Sequence, residues 1–150
     1  MRTDHGTPLQ NTLFSGQGIQ QIYSGVCSYR SEPQKYYETK DVVEAALQDE
    51  SDDLAREALN MYRSLLGNFC GNTASMVSAD EVVIGGGVAT RSNMALDIAR
   101  EGSPFRTAFG GKGIGGETHT LGVSVMQTPG SLSTEPGMTG ARAALTPMIQ

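Results

Sequence analysis

The chain has 150 residues, a formal net charge of -5, 38% hydrophobic and 18% charged residues. This length suits one domain with a buried core, and the composition argues against a disordered or fibrous protein. The acidic balance and the lack of any dense basic cluster exclude a nucleic-acid surface. No apolar run approaches the roughly 18 residues that a membrane span needs, so no membrane partner is expected.

The first part of the chain is predicted to be helical after an irregular start. Residues 1–12 carry no strand or helix signal, so the chain reads as if it starts in the middle of a fold, with the folded unit over 13–150. Ser15 can cap a helix that begins near Gly16. A shorter helix is predicted over 41–48, after a polar loop.

The longest predicted element is a helix over 52–77. Apolar residues recur along it at intervals of three and four, which predicts one continuous buried stripe. The members of this stripe are Leu54, Ala58, Met61, Leu65, Phe69, Thr73 and Met76. Gly67 and Gly71 lie one turn apart on one face. Each glycine costs about 1 kcal/mol relative to alanine, so their pairing predicts the close approach of another element.

The rest of the chain alternates strands and helices. The predicted elements are a strand over 81–84, helices over 91–100 and 105–109, a strand over 121–126 and a helix over 138–145. This order is typical of an α/β fold. With only two clear strands, we expect a helix-rich domain with a short, incomplete sheet.

Two glycine-rich turns are the candidate ligand surfaces. Gly85, Gly86 and Gly87 follow the first strand directly, so a flat ligand could lie against backbone amides where side chains are absent. Gly137 and Gly140 open the last predicted helix in a similar way. At each turn a tight connection that serves packing alone is the alternative, and these residues by themselves leave the choice open.

Other motifs give no competing site. Lys112 lies in a glycine-rich stretch, but no Ser or Thr follows it and no strand precedes it, which argues against a Walker-type phosphate loop. His5 and His119 have no second ligand residue at helical spacing, so we predict no metal-binding residues. Cys27 and Cys70 lie outside any CxxC pattern, which favours buried free thiols and a cytoplasmic protein.

Five segments together resemble those of bacterial-type glucokinases. They are 14–23 (LSGxGLxxLY in the family), 67–72 (GxxxGN), 84–91 ((A/G)GG(I/V)xxR), 103–113 (FRxxFxxKG) and 136–141 (PGLLGxA). They occur in the family's order and cover most of the chain. The stretch over 103–113 is the most specific of the five.

The resemblance implies the actin-like ATPase (ribonuclease H-like) fold of sugar kinases, in which two α/β lobes close on ATP and glucose. With Mg²⁺, such enzymes transfer the γ-phosphoryl group to the 6-hydroxyl of glucose. It implies that residues 13–150 form the C-terminal lobe of a glucokinase. The adenosine would then lie against Gly85, Gly86 and Gly87 and against Gly137 and Gly140.

The chain departs from the family pattern where the chemistry is carried. The DxGxTxxR phosphate segment, the ND pair with the catalytic aspartate and the EGGH glucose segment have no counterpart, so no catalytic residue is predicted. Asn11 stands where the family has a glucose-binding glutamate, and an amide accepts a hydroxyl's hydrogen bond more weakly than a carboxylate does. The alternative is a catalytically inactive, kinase-derived sugar- or nucleotide-binding or regulatory fragment. A homodimer is compatible with both interpretations.

Overall fold

The computed structural model of the chain describes residues 13–48, 52–110 and 122–125. Its helices and strands follow the predicted order. They are α1 (Gly16–Arg30), α2 (Thr39–Leu47), α3 (Asp53–Val77), β1 (Glu81–Ile84), α4 (Gly87–Arg91), α5 (Met94–Ala99), α6 (Pro104–Phe109) and β2 (Gly122–Val125). The described part is therefore a helix-rich arrangement with a short sheet, compatible with an α/β fold. The predicted helix over 138–145 lies outside the described residues.

The helices α1 and α2 pack against α3 and form the larger part of the core. Ile19 and Tyr23 of α1 and Val42 of α2 are completely buried, and Leu59 of α3 is nearly so. Arg30 contacts Glu57, whereas the ring of Phe14, before α1, packs on Phe69. Because contacts early in α1 meet residues late in α3, the two helices run in opposite directions.

The buried face of α3 differs from the predicted stripe. Of the predicted residues only Ala58 is fully buried and Leu54 partly so, whereas the rest are exposed, Met76 to 83%. The buried face consists of Ala55, Ala58, Leu59, Tyr62, Arg63, Leu66, Gly67, Cys70, Gly71 and Ala74. This face carries the small residues. Alanine and glycine let neighbouring helices approach the axis of α3, which a row of Met, Leu and Phe would prevent.

The predicted close approach at Gly67 and Gly71 is confirmed. A Cβ atom added to Gly71 would lie 2.7 Å from the backbone oxygen of Phe109, and one added to Gly67 would lie even nearer to the oxygen of Phe105. The helix α6 therefore lies directly on the backbone of α3. This contact holds α6, the third helix after β1, against α3, the longest helix.

The predicted helix over 91–100 is wrong in its bounds. The structure has two short helices, since α4 begins at Gly87 and a break at Ser92 and Asn93 precedes α5. Asn93 adopts the left-handed conformation, with φ 52°, which asparagine tolerates better than most residues. The side chain of Ser92 bonds back to the oxygen of Val88, which ends α4 after little more than one turn.

The two strands form a parallel pair with Val82 opposite Val123 and Ile84 opposite Val125. Val82, Ile84 and Val123 are partly buried against the core, whereas Val83 is 52% exposed. Parallel pairing places the carboxyl ends of both strands at one edge of the sheet. None of the helices in 13–48 or 52–110 has the length and hydropathy that a bilayer crossing requires.

Candidate functional site

The glycine turn begins where β1 ends, at the carboxyl edge of the sheet. Gly85 follows the last strand residue, Ile84, and Gly87 is the first residue of α4. Gly86, between them, has φ 100° and ψ 166°. Only glycine adopts this conformation without strain. The backbone of the turn therefore accounts for glycine at position 86.

Glycine at position 87 has no such explanation in the fold. Its φ is not in the left-handed region, and a Cβ atom there would meet no heavy atom of the described chain within 4 Å. The space outside Gly86 is open in the same way, and Gly85 and Gly87 are both exposed. Among the described residues, the fold therefore requires glycine at position 86 and not at position 87. The turn thus presents exposed backbone, without side chains, to open space.

The short helix α4 contacts the core toward its C-terminal end, away from the glycine turn. Ala89 is buried, and the backbone N–H of Ser92 donates to the oxygen of Val88 at 2.9 Å. The carbonyl oxygen of Ser92 accepts a hydrogen bond from the guanidinium of Arg63, on α3. The helix after the glycine turn is therefore attached to the core through the buried Ala89 and through the carbonyl group of Ser92.

A buried ion pair lies next to this attachment. Arg63 Nη1 is 3.5 Å from Asp97 Oδ1 of α5, and their side chains are 9% and 1% exposed. The other carboxylate oxygen of Asp97 accepts from the backbone N–H of Phe105, at 3.2 Å. Burial lowers the pKa of the Arg63 guanidinium, and the charge of Asp97 opposes that shift. Sequence reasoning missed this pair, although a charged residue on the apolar side of a helix is a signal for it.

Few polar side chains are buried in the described part of the chain. The buried polar or charged residues in the described chain are Arg63, Ser92, Asp97 and Ser103. The one carboxylate among them, Asp97, is engaged with Arg63 and Phe105. Within residues 13–48, 52–110 and 122–125 no three metal-ligating side chains come together. The described turn therefore offers backbone groups and open space for a ligand.

A separate open cavity of about 380 Å³ lies between α5 and α6. Its lining residues are Ala99, Glu101, Gly102, Arg106 and Thr107. None of the predicted site residues lines it. The guanidinium of Arg106 is itself tied to the carbonyl oxygen of Ile98 through Nε.

The structure brings together only part of the predicted site. Gly85, Gly86 and Gly87 form one turn, as the sequence predicts. Asn11, Gly137 and Gly140 lie outside the described residues, and their roles stay predictions. The predicted free thiols are confirmed, since Cys27 and Cys70 are buried and unpaired with each other.

Comparison with known proteins identifies relatives over nearly the whole chain. The family model for glucokinase matches residues 2–148. The chain is 35% identical over 112 residues to a glucokinase of Saccharophagus degradans, which is 74% of this chain and 33% of that protein. It is 32% identical over 146 residues to a glucokinase of Psychromonas ingrahamii, covering 97% of this chain and 43% of that protein.

A third relative gives the same proportions. The glucokinase of Tolumonas auensis is 35% identical over 114 residues, 75% of this chain and 34% of that protein. The chain thus spans about a third of the length of two of these relatives and 43% of the length of the other. No solved structure gives a significant match.

Proposed function

The chain belongs to the glucokinase family, and we propose that it supplies the adenosine-binding part of a glucokinase. In the proposed reaction the γ-phosphoryl group of ATP is transferred to glucose to give glucose 6-phosphate. Mg²⁺, bound with the nucleotide, would neutralise the developing phosphate charge. The described residues contain no general base beside the turn, so the proposal assigns the chemical step to groups outside them.

Gly87 carries the proposal for the nucleotide. Neither its backbone conformation nor its packing against the described residues requires glycine, whereas a ligand lying flat on the turn would require that no side chain be there. The turn also lies at the carboxyl edge of a parallel strand pair, where ligands of open α/β sheets gather. We therefore place the adenosine against Gly85, Gly86 and Gly87.

The wider assignments rest on the family resemblance. We propose the actin-like ATPase fold, with residues 13–150 as its C-terminal lobe. Its support is the parallel pair of strands joined through helices. Gly137 and Gly140 are proposed to complete the adenosine contacts, and Asn11 to hydrogen-bond glucose. A cytoplasmic location is proposed because Cys27 and Cys70 are free thiols, which persist in reducing compartments.

We also propose a homodimer. The exposed apolar side of α3, here called the α3 stripe, consists of Met61, Leu65, Phe69 and Met76. Exposed large apolar side chains grouped along one helix favour an interaction surface over an ordinary solvated face. The stripe follows one long helix, and the residues between Ser64 and Ala79 carry no charge. A second copy of the same neutral surface therefore fits it without repulsion.

A matched pair of alanine variants tests the nucleotide site. Gly87→Ala adds a methyl group to the open side of the turn, and Gly25→Ala adds one to an exposed, equally open position on α1. Both leave the backbone unstrained, so both variants should fold as the wild type does. We expect Gly87→Ala to weaken ATP binding at least about tenfold, equal to 1.4 kcal/mol. Gly25→Ala should leave ATP binding unchanged.

Isothermal titration of the 150-residue chain with ATP, with and without Mg²⁺, gives the affinities. Failure of the wild type to bind ATP, or equal binding by Gly87→Ala, would contradict the proposed site. A hexokinase-type assay with glucose accompanies the titration. Turnover by the chain alone would show that the catalytic groups are present after all.

A further inference from the structure

The Arg63–Asp97 pair lies at the junction of four helices. Arg63 projects from α3, Asp97 from α5, and their contacts reach the end of α4 at Ser92 and the start of α6 at Phe105. Both side chains are almost completely withdrawn from water. The exposed Arg100 is a second cation near Asp97, with Nη2 3.7 Å from Oδ1.

Stability alone does not account for a buried pair of this kind. Removing two charges from water costs several kcal/mol per ion, and well-packed apolar residues often serve as well or better. The pair is also incompletely satisfied, since Nε of Arg63 has no hydrogen-bond partner among the described residues. What an apolar replacement could not supply is a directional bond to the carbonyl oxygen of Ser92.

That carbonyl is separated from the glycine turn by only one short helix. The helix α4 has five residues and extends from Gly87 to Arg91, and Ser92 is its C-terminal cap. At 1.5 Å per residue, the helix places Ser92 roughly 7 Å from the turn. A helix this short has little stability of its own, so its position depends on tertiary contacts. A bond that fixes the position of Ser92 therefore also fixes the position of Gly87 and of the exposed backbone before it.

We propose that Arg63 is a positioning residue for the nucleotide, acting through Ser92 on the glycine turn, and that Asp97 fixes the guanidinium in the required orientation. The inference rests on the proposed function, because it assigns the turn to ATP. Asp97 also holds the first turn of α6 through Phe105. The pair thus orients the turn relative to the α3–α6 contact.

The test compares two neighbouring residues of α3 that both bond a backbone carbonyl. Arg63→Met removes the bond to Ser92, and Tyr62→Phe removes the bond from the tyrosine hydroxyl to the oxygen of Phe14, at 3.3 Å. The measurements are ATP affinity by titration and the backbone amide resonances of Gly86 and Gly87 by NMR. We expect Arg63→Met to weaken ATP binding at least tenfold and to shift both resonances. Tyr62→Phe should change neither.

The conservative variant Arg63→Lys keeps the charge and one donor, and should restore part of the affinity and of the resonance positions. Where Arg63→Met does not fold, Arg63→Gln replaces it in the same measurements. Equal ATP affinity in a folded Arg63 variant and the wild type overturns the inference while the proposed site stands. If the wild type itself does not bind ATP, the proposed function fails. Unmoved Gly86 and Gly87 resonances in the folded variant then overturn the positioning role as well.

Discussion

The backbone oxygen of Phe105 occupies the space that a side chain at Gly67 would need. One turn further along both helices, the oxygen of Phe109 does the same at Gly71. The equal spacing of four residues means that α3 and α6 meet turn by turn. The cap of α6, in which Ser103 accepts from the N–H of Arg106 at 3.2 Å, sets where this register begins. The start of α6 at Ser103 therefore determines which of its residues lie on Gly67 and Gly71.

Gly67→Ala should destabilise the chain, because the added methyl group collides with backbone atoms that cannot move independently of α6. The overpacking lowers the free energy of unfolding by about 1–3 kcal/mol. Over most of that range the loss exceeds the gain of about 1 kcal/mol that alanine brings in helix propensity. The exposed Gly25→Ala meets no atom within 4 Å and should gain stability by up to that propensity difference. Urea unfolding of both variants shows whether each substitution raises or lowers the free energy of unfolding. A stabilised Gly67→Ala would show that α6 does not lie on α3.

The sequence predicts α3 and its glycines well, and its buried face poorly. Helical periodicity detects a stripe of large apolar residues, and Met61 and Phe69 satisfy that pattern as well as a true core face does. The structure buries the neighbouring face because α6 can approach only over Gly67 and Gly71. The large apolar residues therefore predicted the wrong buried face, because the packing depends on how closely α6 can approach α3.

The candidate site divides in a similar way. Gly86 and Gly87 can be found from the sequence, because a strand followed by glycines and a helix is a local pattern. The Arg63–Asp97 pair joins residues that are far apart in the chain, and although Arg63 stands among apolar residues of its helix, no local spacing indicates Asp97 as its partner. The break after Ser92 is missed for a similar reason, because the helical spacing of the residues does not indicate the left-handed conformation of Asn93. Such features appear only when the tertiary contacts are known.

Asp52 should stabilise α3 mainly as its N-cap. Its Oδ1 accepts from the N–H groups of Leu54 and Ala55 at 3.0 and 3.1 Å, and its Oδ2 accepts from Lys35 Nζ at 2.8 Å. Asp52→Ala should lose about 1 kcal/mol for the cap. Asp52→Asn retains the cap and should lose less, because the ammonium of Lys35 is well exposed. Denaturant unfolding at neutral pH separates the two, and equal losses would contradict the cap.

The same residue should give an acid-dependent contribution. The hydrogen bond from Lys35 lowers the pKa of Asp52 from its ordinary 3.8. A lowered folded-state pKa gives stability that is present above the unfolded value and lost as the pH falls through the folded one. The stability difference between wild type and Asp52→Asn should therefore shrink on acidification from near 3.8. A constant difference down to low pH would contradict the assignment.

Charges on the α3 stripe should separate the proposed dimer. Met61→Lys with Met76→Lys places two cations on side chains that are 45% and 83% exposed, so the fold should survive. The control, Tyr29→Lys with Tyr37→Lys, adds the same charge at exposed aromatic residues outside the stripe. Sedimentation equilibrium should show a dimer for the wild type and the control and a monomer for the stripe variant. A wild type that sediments as a monomer would contradict the proposal.

Cys70 should make the chain sensitive to alkaline pH. Burial raises the pKa of its thiol from 9.0 to about 11. Between these values the unfolded chain loses the thiol proton while the folded chain keeps it, so stability falls as the pH rises. At pH 10 the loss of stability from this group is on the order of 1 kcal/mol, which is about the value of one pKa unit. The neighbouring Tyr62, whose pKa burial raises to about 12, adds its own loss only above its ordinary 10.0.

Urea unfolding at pH 8 and pH 10 measures this loss in the wild type, Cys70→Ala and Cys27→Ala. Cys70→Ala removes the buried thiol, so its stability should fall less between the two pH values, by on the order of 1 kcal/mol. Cys27→Ala keeps Cys70 and should show the full loss of the wild type. Burial is the largest cause of the raised pKa values of Tyr62 and Tyr23, and the variants remove only the smaller contributions of Cys70 to Tyr62 and of Cys27 to Tyr23. An alkaline loss in Cys70→Ala as large as in the wild type would mean that the thiol reaches water in the folded chain.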